Sequence, residues 1–160
     1  MKTAARSPAG IAAELGKREP FASPEQEAFL NLARSYEALA GEFDRLFKTH
    51  GLSSPQFNAL RILRGHAEPM QVYQIAELMV TPQTDITRLV DRLEQAGFVS
   101  RERCGEDRRV VWVTLTAAGK NVLKKLDGPV KELHERQFQH FGRRELATLS
   151  QLLFKARHPD

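Results

Sequence analysis

The segment from residue 81 to residue 116 constrains the fold of this chain more than any other stretch. It reads TPQTDITRLVDRLEQAGFVSRERCGEDRRVVWVTLT. Apolar residues recur at helical spacing, Gly97 can end a helix in the left-handed conformation, and a β-branched run follows. The pattern predicts an amphipathic helix over about 82–96 and a two-stranded ribbon over 98–103 and 110–115. A helix beside an arginine-bearing ribbon suggests a device that reads duplex DNA.

Composition places the chain among folded proteins. Its 160 residues suffice for one domain with a real core, and 41% hydrophobic and 28% charged residues are typical of globular proteins. The sequence has no apolar run near the ~18 residues that span a bilayer, and its N-terminus lacks the apolar core of a signal peptide. A single cysteine, Cys104, allows no internal disulfide. We therefore expect a cytoplasmic protein with no membrane partner and an incidental exposed thiol.

Charge alone does not identify the DNA-reading segment. The net charge of +4 is compatible with a nucleic-acid partner. However, residues 81–116 hold six basic and six acidic side chains, whereas residues 117–160 hold nine basic and five acidic ones. Any DNA affinity of the first window must therefore depend on where its arginines lie.

Hydroxyl–proline pairs mark three helix starts. A serine or threonine N-cap accepts a free backbone N–H, and proline in the first turn has no N–H to leave unpaired. With the apolar periodicity, the pairs predict helices over about 24–49, 55–64 and 82–96, and the periodicity alone adds one over 72–79. The pairs are Ser23-Pro24, Ser54-Pro55 and Thr81-Pro82.

The outer helices carry more apolar residues than a small DNA-binding core requires. Two interpretations of the first helix stay open, because a heptad seam can lie on the helix's own core or also pack on a partner subunit. Thr116 caps a second long pattern, which Pro129 should bend or split before Gly142, and a final short leucine-rich helix follows. The seam of the first helix comprises Phe29, Leu32, Tyr36, Leu39, Phe43 and Leu46.

The order of elements predicts a mostly α fold with a small β-wing. Three helices and the ribbon make a winged helix-turn-helix core, flanked by N- and C-terminal dimerisation helices. We divide the chain into an N-terminal arm or short docking helix (1–22), an N-terminal dimerisation helix (23–52), a winged helix-turn-helix DNA-binding lobe (53–116) and C-terminal dimerisation helices (117–160).

Three short motifs follow one another in the second half of the chain. They are Asp91-Arg92-Leu93-Glu94 with Gly97, Asp107-Arg108-Arg109, and Leu115-Thr116-Ala117-Ala118-Gly119. In this order and spacing they resemble the MarR family of bacterial transcription regulators, over about residues 24–157. The resemblance implies a homodimer on a pseudo-palindromic operator, and often a small aromatic or phenolic effector between the dimer region and the DNA-binding lobe. We therefore expect a nucleoid-associated regulator, most simply a repressor.

The early turns of the 82–96 helix are expected to enter the major groove. There Arg88 can read guanine O6 and N7 as a fork, and Thr84 and Thr87 can meet a thymine methyl or a base acceptor. Gln83 can pair with adenine or a phosphate, and the best use of Asp85 is to accept from cytosine N4. A solvated helix face is the alternative for this group.

In the wing, the resemblance makes Arg109 the minor-groove arginine, which suits a narrow and strongly negative groove. Arg108 is expected to share that task or to grip a phosphate. We expect Asp107 to orient the turn by pairing with an arginine, and Asp91 to pair with a wing arginine when DNA is absent.

The remaining candidates are weaker. Phe43, Phe47, Phe57 and Tyr73 can line an effector pocket, although core packing explains each of them equally well. The five histidines show no metal-ligand spacing, and neither a phosphate loop nor a nucleophile motif occurs, so we expect no enzyme, cofactor or metal. A winged-helix module that binds protein or RNA without operator specificity stays open as the alternative function.

Overall fold

The computed structural model describes residues 10–103, residue 105 and residues 110–158. The chain divides into two compact units, Met1–Glu42 and Phe43–Asp160. The expected fold class, mostly α with a small sheet, is confirmed. The elements are α1 (Ile11–Glu14), α2 (Pro24–Lys48), α3 (Ser54–His66), β1 (Met70–Gln71), α4 (Val72–Glu77), α5 (Ile86–Gln95), β2 (Val99–Arg103), β3 (Val111–Leu115), α6 (Ala117–Phe138) and α7 (Arg143–Arg157).

The first unit contains α1 and the N-terminal part of α2. The backbone N–H of Gln26 donates to the Ser23 hydroxyl at 3.3 Å, as expected for a serine cap. Three members of the heptad seam on this part of α2 are exposed. Their exposed fractions are 68% for Phe29, 46% for Leu32 and 59% for Tyr36.

The second unit has a core to which α3, α4, α5, β3 and α6 each contribute. Leu60, Ile75, Leu93, Val113 and Leu123, one from each of these elements, have no exposed surface. Burying a side chain of this size stabilises a fold by about 1.5–3 kcal/mol. Because α5 shares this core with its neighbours, its inner face is fixed and its outer face points to solvent.

The described strands form a three-stranded antiparallel sheet in the order β1-β3-β2. Val99 pairs with Leu115 and Arg103 with Val111, which fixes the register of the predicted ribbon. The expectation of two strands was incomplete, because Met70 of β1 pairs with Val113 on the other edge of β3. A strand of two residues has no periodicity of its own, so the partner strand defines it.

Two of the predicted helix starts were wrong by one or more residues. The N-cap of α3 is Ser53, which forms a capping box with Gln56, while Ser54 donates its hydroxyl to Asp44. Helix α5, which was predicted over about 82–96 and is the recognition helix of the predicted DNA-binding lobe, begins at Ile86 and not beside Thr81-Pro82. The carboxylate of Asp85 caps it there.

Of the two outcomes expected at Pro129, a bend or a split, the split does not occur, since α6 runs unbroken from Ala117 to Phe138. Proline removes one helical hydrogen bond, but neighbouring turns can hold the helix together. Leu126 and Leu133, before and after the proline, are both buried and supply that packing.

Candidate nucleic-acid interface

Helix α5 is strongly amphipathic. Leu89, Val90 and Leu93 are buried in the core, whereas Thr87 and Arg88 are exposed on the opposite side. Gly97, with φ of 74°, ends the turn after the helix in the left-handed conformation that glycine adopts without strain. The helix therefore presents a fixed polar face, as a groove-reading helix requires.

Asp85 occupies the N-cap of α5. Its Oδ1 accepts the backbone N–H of Arg88 at 2.9 Å, and its Oδ2 lies 3.6 Å from the Arg88 Nε. A carboxylate here satisfies a free helix N–H and interacts favourably with the helix dipole. The structure therefore uses Asp85 first as a cap, a role that the sequence analysis assigned to Thr81.

A depression of about 270 Å³ lies between the starts of α3 and α5. It brings together four of the predicted DNA-contacting residues, Gln83, Thr84, Asp85 and Arg88, although the first three precede Ile86, where the helix begins. Thr87 is exposed on α5 but does not line this depression. Three other polar residues line it and were not among the predicted contacts, namely Ser53, Gln56 and Arg92.

The position of Arg92 could have been inferred from spacing. It follows Arg88 by four residues, so both arginines lie on one face of α5, and both are exposed. Gln83, by contrast, folds onto its own turn. Its side-chain amide donates to the carbonyl oxygens of Thr81 at 3.0 Å and Pro82 at 3.2 Å.

The ribbon is tied to the recognition helix by Arg101 of β2. One terminal nitrogen of Arg101 lies 2.5 Å from Asp91 Oδ1 and 3.6 Å from Glu94 Oε2, and the other donates to the Thr87 carbonyl at 3.3 Å. The Arg101 side chain is only 21% exposed. Asp91 was expected to pair with a wing arginine, and its partner within the described residues is this strand residue, which the sequence analysis did not single out.

The predicted wing-tip residues Asp107, Arg108 and Arg109 lie outside the described residues, as does Cys104. Their roles therefore stay predictions from the sequence. The described part of the ribbon ends at Arg103 on β2 and resumes at Val110 before β3.

A second tie joins the end of α5 to the start of α6. The Thr116 hydroxyl donates to the Gly97 carbonyl at 2.7 Å, and the Thr116 N–H donates to the Phe98 carbonyl at 3.1 Å. The same hydroxyl accepts the Gly119 N–H at 3.1 Å and so caps α6. Thr116 therefore joins the turn that follows α5 to the N-terminus of α6.

The four aromatic residues proposed for an effector pocket do not form one cluster. Phe47 and Phe57 are buried and stack with ring centroids 4.1 Å apart, and Phe43 lies 5.9 Å from Phe47 and 4.6 Å from His134. Tyr73 is 56% exposed on α4 and has no ring contact with the others. Core packing accounts for Phe47, and Phe57 borders a second depression.

That depression, of about 330 Å³, lies between α3 and α6. Arg64 spans it with a two-pronged ion pair to Asp127, at 3.0 and 2.8 Å. The hydrogen bond from Arg64 lowers the pKa of Asp127 below its ordinary value of 3.8. Lys131 lies 3.8 Å from Glu135. Arg61 has no carboxylate of a described residue within ion-pair distance, although its charge also lowers the pKa of Asp127. The lining residues are Phe57, Arg61, Arg64, Asp127, Val130, Lys131, His134 and Glu135.

The described residues contain no group of three or more side chains that could together bind a metal ion. No helix in that part of the chain is both long enough and apolar enough to cross a lipid bilayer.

A family model described as the MarR family matches residues 52–111, which include α3, β1, α4, α5, β2 and the first residue of β3. The crystal structure of a MarR transcription factor from Planctomyces limnophilus is 45% identical to this chain, with a TM-score of 0.65. That match covers 84% of this chain and 98% of the other. The chain belongs to the MarR family. It is a transcriptional regulator and not an enzyme.

Two other transcriptional regulators extend the comparison. The transcriptional repressor IacR of Pseudomonas putida is 26% identical, and the match covers 81% of this chain and 77% of the repressor. An organohalide-sensing transcriptional regulator, solved in its 2,4-dichlorophenol-bound form, shares the fold with a TM-score of 0.79 at 17% identity. This last match covers 88% of this chain and 85% of the other.

Proposed function

We propose that this MarR-family protein binds a pseudo-palindromic DNA operator as a homodimer and represses transcription by occupying it. The observation that carries the proposal is the exposed polar face of α5, where Arg88 and Arg92 stand side by side over a core-packed inner face. Thr87 belongs to the same face, and Arg108 and Arg109 are assigned to the wing contact from the sequence. Such a protein acts on the nucleoid in the cytoplasm.

Exposed apolar side chains support the homodimer. On α2, Phe29 and Tyr36 leave more than half of their surface in water, and on α7 Leu152 and Phe154 are each 59% exposed. Clustered exposed apolar residues are typical of protein interfaces. A two-fold dimer would present two copies of α5 about 34 Å apart, one helical turn of DNA.

The first test is an Arg88→Ala substitution. We expect roughly tenfold weaker binding to the operator, because a two-pronged arginine contact to guanine discriminates by about 1–3 kcal/mol. The operator is first recovered from a random DNA pool with the wild-type protein, and affinity is then measured by gel shift. Arg45→Ala, an exposed arginine on the C-terminal turn of α2, is the matched control.

Sedimentation should give twice the chain mass for wild type and for both variants. If the wild type recovers no preferred DNA sequence, or prefers an RNA hairpin, the operator proposal is wrong and a protein- or RNA-binding module takes its place. If Arg88→Ala dissociates the dimer, Arg88 belongs to the dimer interface and not to the DNA-binding face.

We further propose that a small aromatic or phenolic effector releases the DNA by binding the depression between α3 and α6. Phe57 and Val130 offer apolar contacts there, and Arg61 offers a guanidinium that is not held in a close ion pair with a described residue. Helix α3 lines the depression, and its inner face packs in the same core as α5. A ligand bound there is therefore one element away from α5. The phenol-bound state of the organohalide-sensing neighbour supports this effector class.

The effector prediction uses 2,4-dichlorophenol as the probe and the gel shift as readout. Saturating phenol should weaken operator binding of the wild type by more than about fivefold, the lower end of ordinary coupling between sites. Arg61→Ala should reduce that response without changing operator affinity in the absence of phenol. An unchanged response in Arg61→Ala would place the phenol elsewhere, and no response in the wild type would exclude this effector class.

A further inference from the structure

The carboxylate of Asp85 makes two contacts, and helix capping explains only one of them. Capping uses Oδ1, which accepts the Arg88 N–H at 2.9 Å. Asparagine or serine would cap equally well, without a negative charge on the face that approaches DNA phosphates. The helix dipole also favours a negative charge here, but only weakly at an exposed position, so the second contact of the carboxylate bears on its role.

The second contact is with the Arg88 side chain. With Oδ1 held by the backbone, Oδ2 lies 3.6 Å from the Nε of Arg88. The Arg88 side chain is 77% exposed, and no other described residue is within ion-pair distance of it. A carboxylate at Nε engages the inner edge of the guanidinium and leaves the two terminal nitrogens available. These are the donors that a two-pronged contact to guanine O6 and N7 requires.

We propose that Asp85 is a specificity-determining positioning residue, which holds Arg88 through Nε so that its terminal nitrogens read one guanine. The inference rests on the proposed function, in which Arg88 contacts DNA. An exposed ion pair of this kind adds little to folding stability. The ion pair instead orders the long Arg88 side chain before DNA binds. Without it, ordering that side chain would reduce the binding free energy. The negative charge also weakens binding to any DNA in which no guanine engages Arg88.

Asp85→Asn separates the two roles, because asparagine keeps the cap and removes the charge. We expect unchanged helix content and thermal stability, and unrelated DNA should bind as tightly as before or more tightly. The preference for the operator over unrelated DNA should fall roughly 2- to 10-fold, the range for ordering one flexible side chain. Glu102→Gln is the matched control, because it removes one exposed carboxylate from β2 and leaves Arg88 untouched.

The contact itself is read with 7-deazaguanine, which lacks N7, placed at each operator guanine in turn. In the wild type one position in each half-site should show a clear loss of affinity. In Arg88→Ala the loss at these positions should vanish, and in Asp85→Asn it should shrink. The double variant should match Arg88→Ala, because Asp85 acts through Arg88.

The outcomes distinguish the inference from the function on which it rests. If Arg88→Ala retains the full 7-deazaguanine loss, Arg88 does not read a guanine, and both the assignment of Arg88 and the positioning role are overturned. If Arg88→Ala abolishes the loss while Asp85→Asn retains it in full, the positioning role alone is overturned. A similar fall in preference for Glu102→Gln would also overturn it, because any lost charge would then suffice.

Discussion

Replacing Gly119 with alanine is expected to lower the free energy of unfolding by about 3 kcal/mol, the upper range for overpacking. A Cβ at this position would lie 2.2 Å from the carbonyl oxygen of Phe98 and 2.9 Å from a methyl group of Leu115. The carbonyl belongs to the backbone and is held by the Thr116 N–H, so it cannot rotate away. Urea denaturation followed by circular dichroism measures the change.

Gly65→Ala is the matched control for this substitution. Gly65 also lies in a helix, α3, but a Cβ there meets nothing within 4 Å. Alanine at such a site is expected to be neutral or to stabilise by less than about 1 kcal/mol, because it favours the helix. Equal effects of the two substitutions would mean that α6 does not approach the Gly97–Phe98 turn closely. Gly119→Ala protein that still folds should also bind the operator more weakly, since the close approach of Gly119 to the Phe98 carbonyl positions the end of α5.

The elements that the sequence predicted best are those whose signals are local. The apolar seam and the Ser23 cap placed α2 within one residue of its observed end, and the β-branched run placed β3. Gly97 stopped the recognition helix as expected because its φ of 74° disfavours other residues. In these cases the residues that define the helix or strand lie within it or directly beside it.

The errors arose where two local signals compete or where the partner is distant. Thr81-Pro82 and Asp85 both offer a start for the recognition helix, and aspartate is the stronger N-cap. Its carboxylate takes the Arg88 N–H, so the segment before it forms a turn. The wing tie was missed for a different reason. Arg101 reaches Asp91 only because the antiparallel register sets its position on β2, and helical or strand spacing within one segment does not reveal that.

That tie leads to the second large effect, which is expected for Arg101→Met. Methionine keeps the apolar stem but loses the contacts with Asp91, Glu94 and the Thr87 carbonyl. We expect a loss of about 2 kcal/mol in stability, the usual range for hydrogen bonds to a charged group. The free energy of operator binding should fall by at least as much. The ribbon and α5 would have to be brought into their relative positions on binding. In addition, Asp91 and Glu94 would lose their neutralising partner near the phosphates.

Arg101→Lys tests whether charge alone is enough. Lysine keeps the positive charge but cannot contact a carboxylate and a carbonyl through two separate nitrogens of one rigid plane, so we expect partial recovery only. Asp91→Asn completes a double-mutant cycle with Arg101→Met, measured by urea denaturation and by gel shift. If the tie acts as a unit, the double variant will be little worse than Arg101→Met, with a coupling energy of about 1 kcal/mol or more. Strictly additive losses would mean that Arg101 and Asp91 act independently, and the helix and ribbon would then be two separate DNA contacts and not one preformed surface.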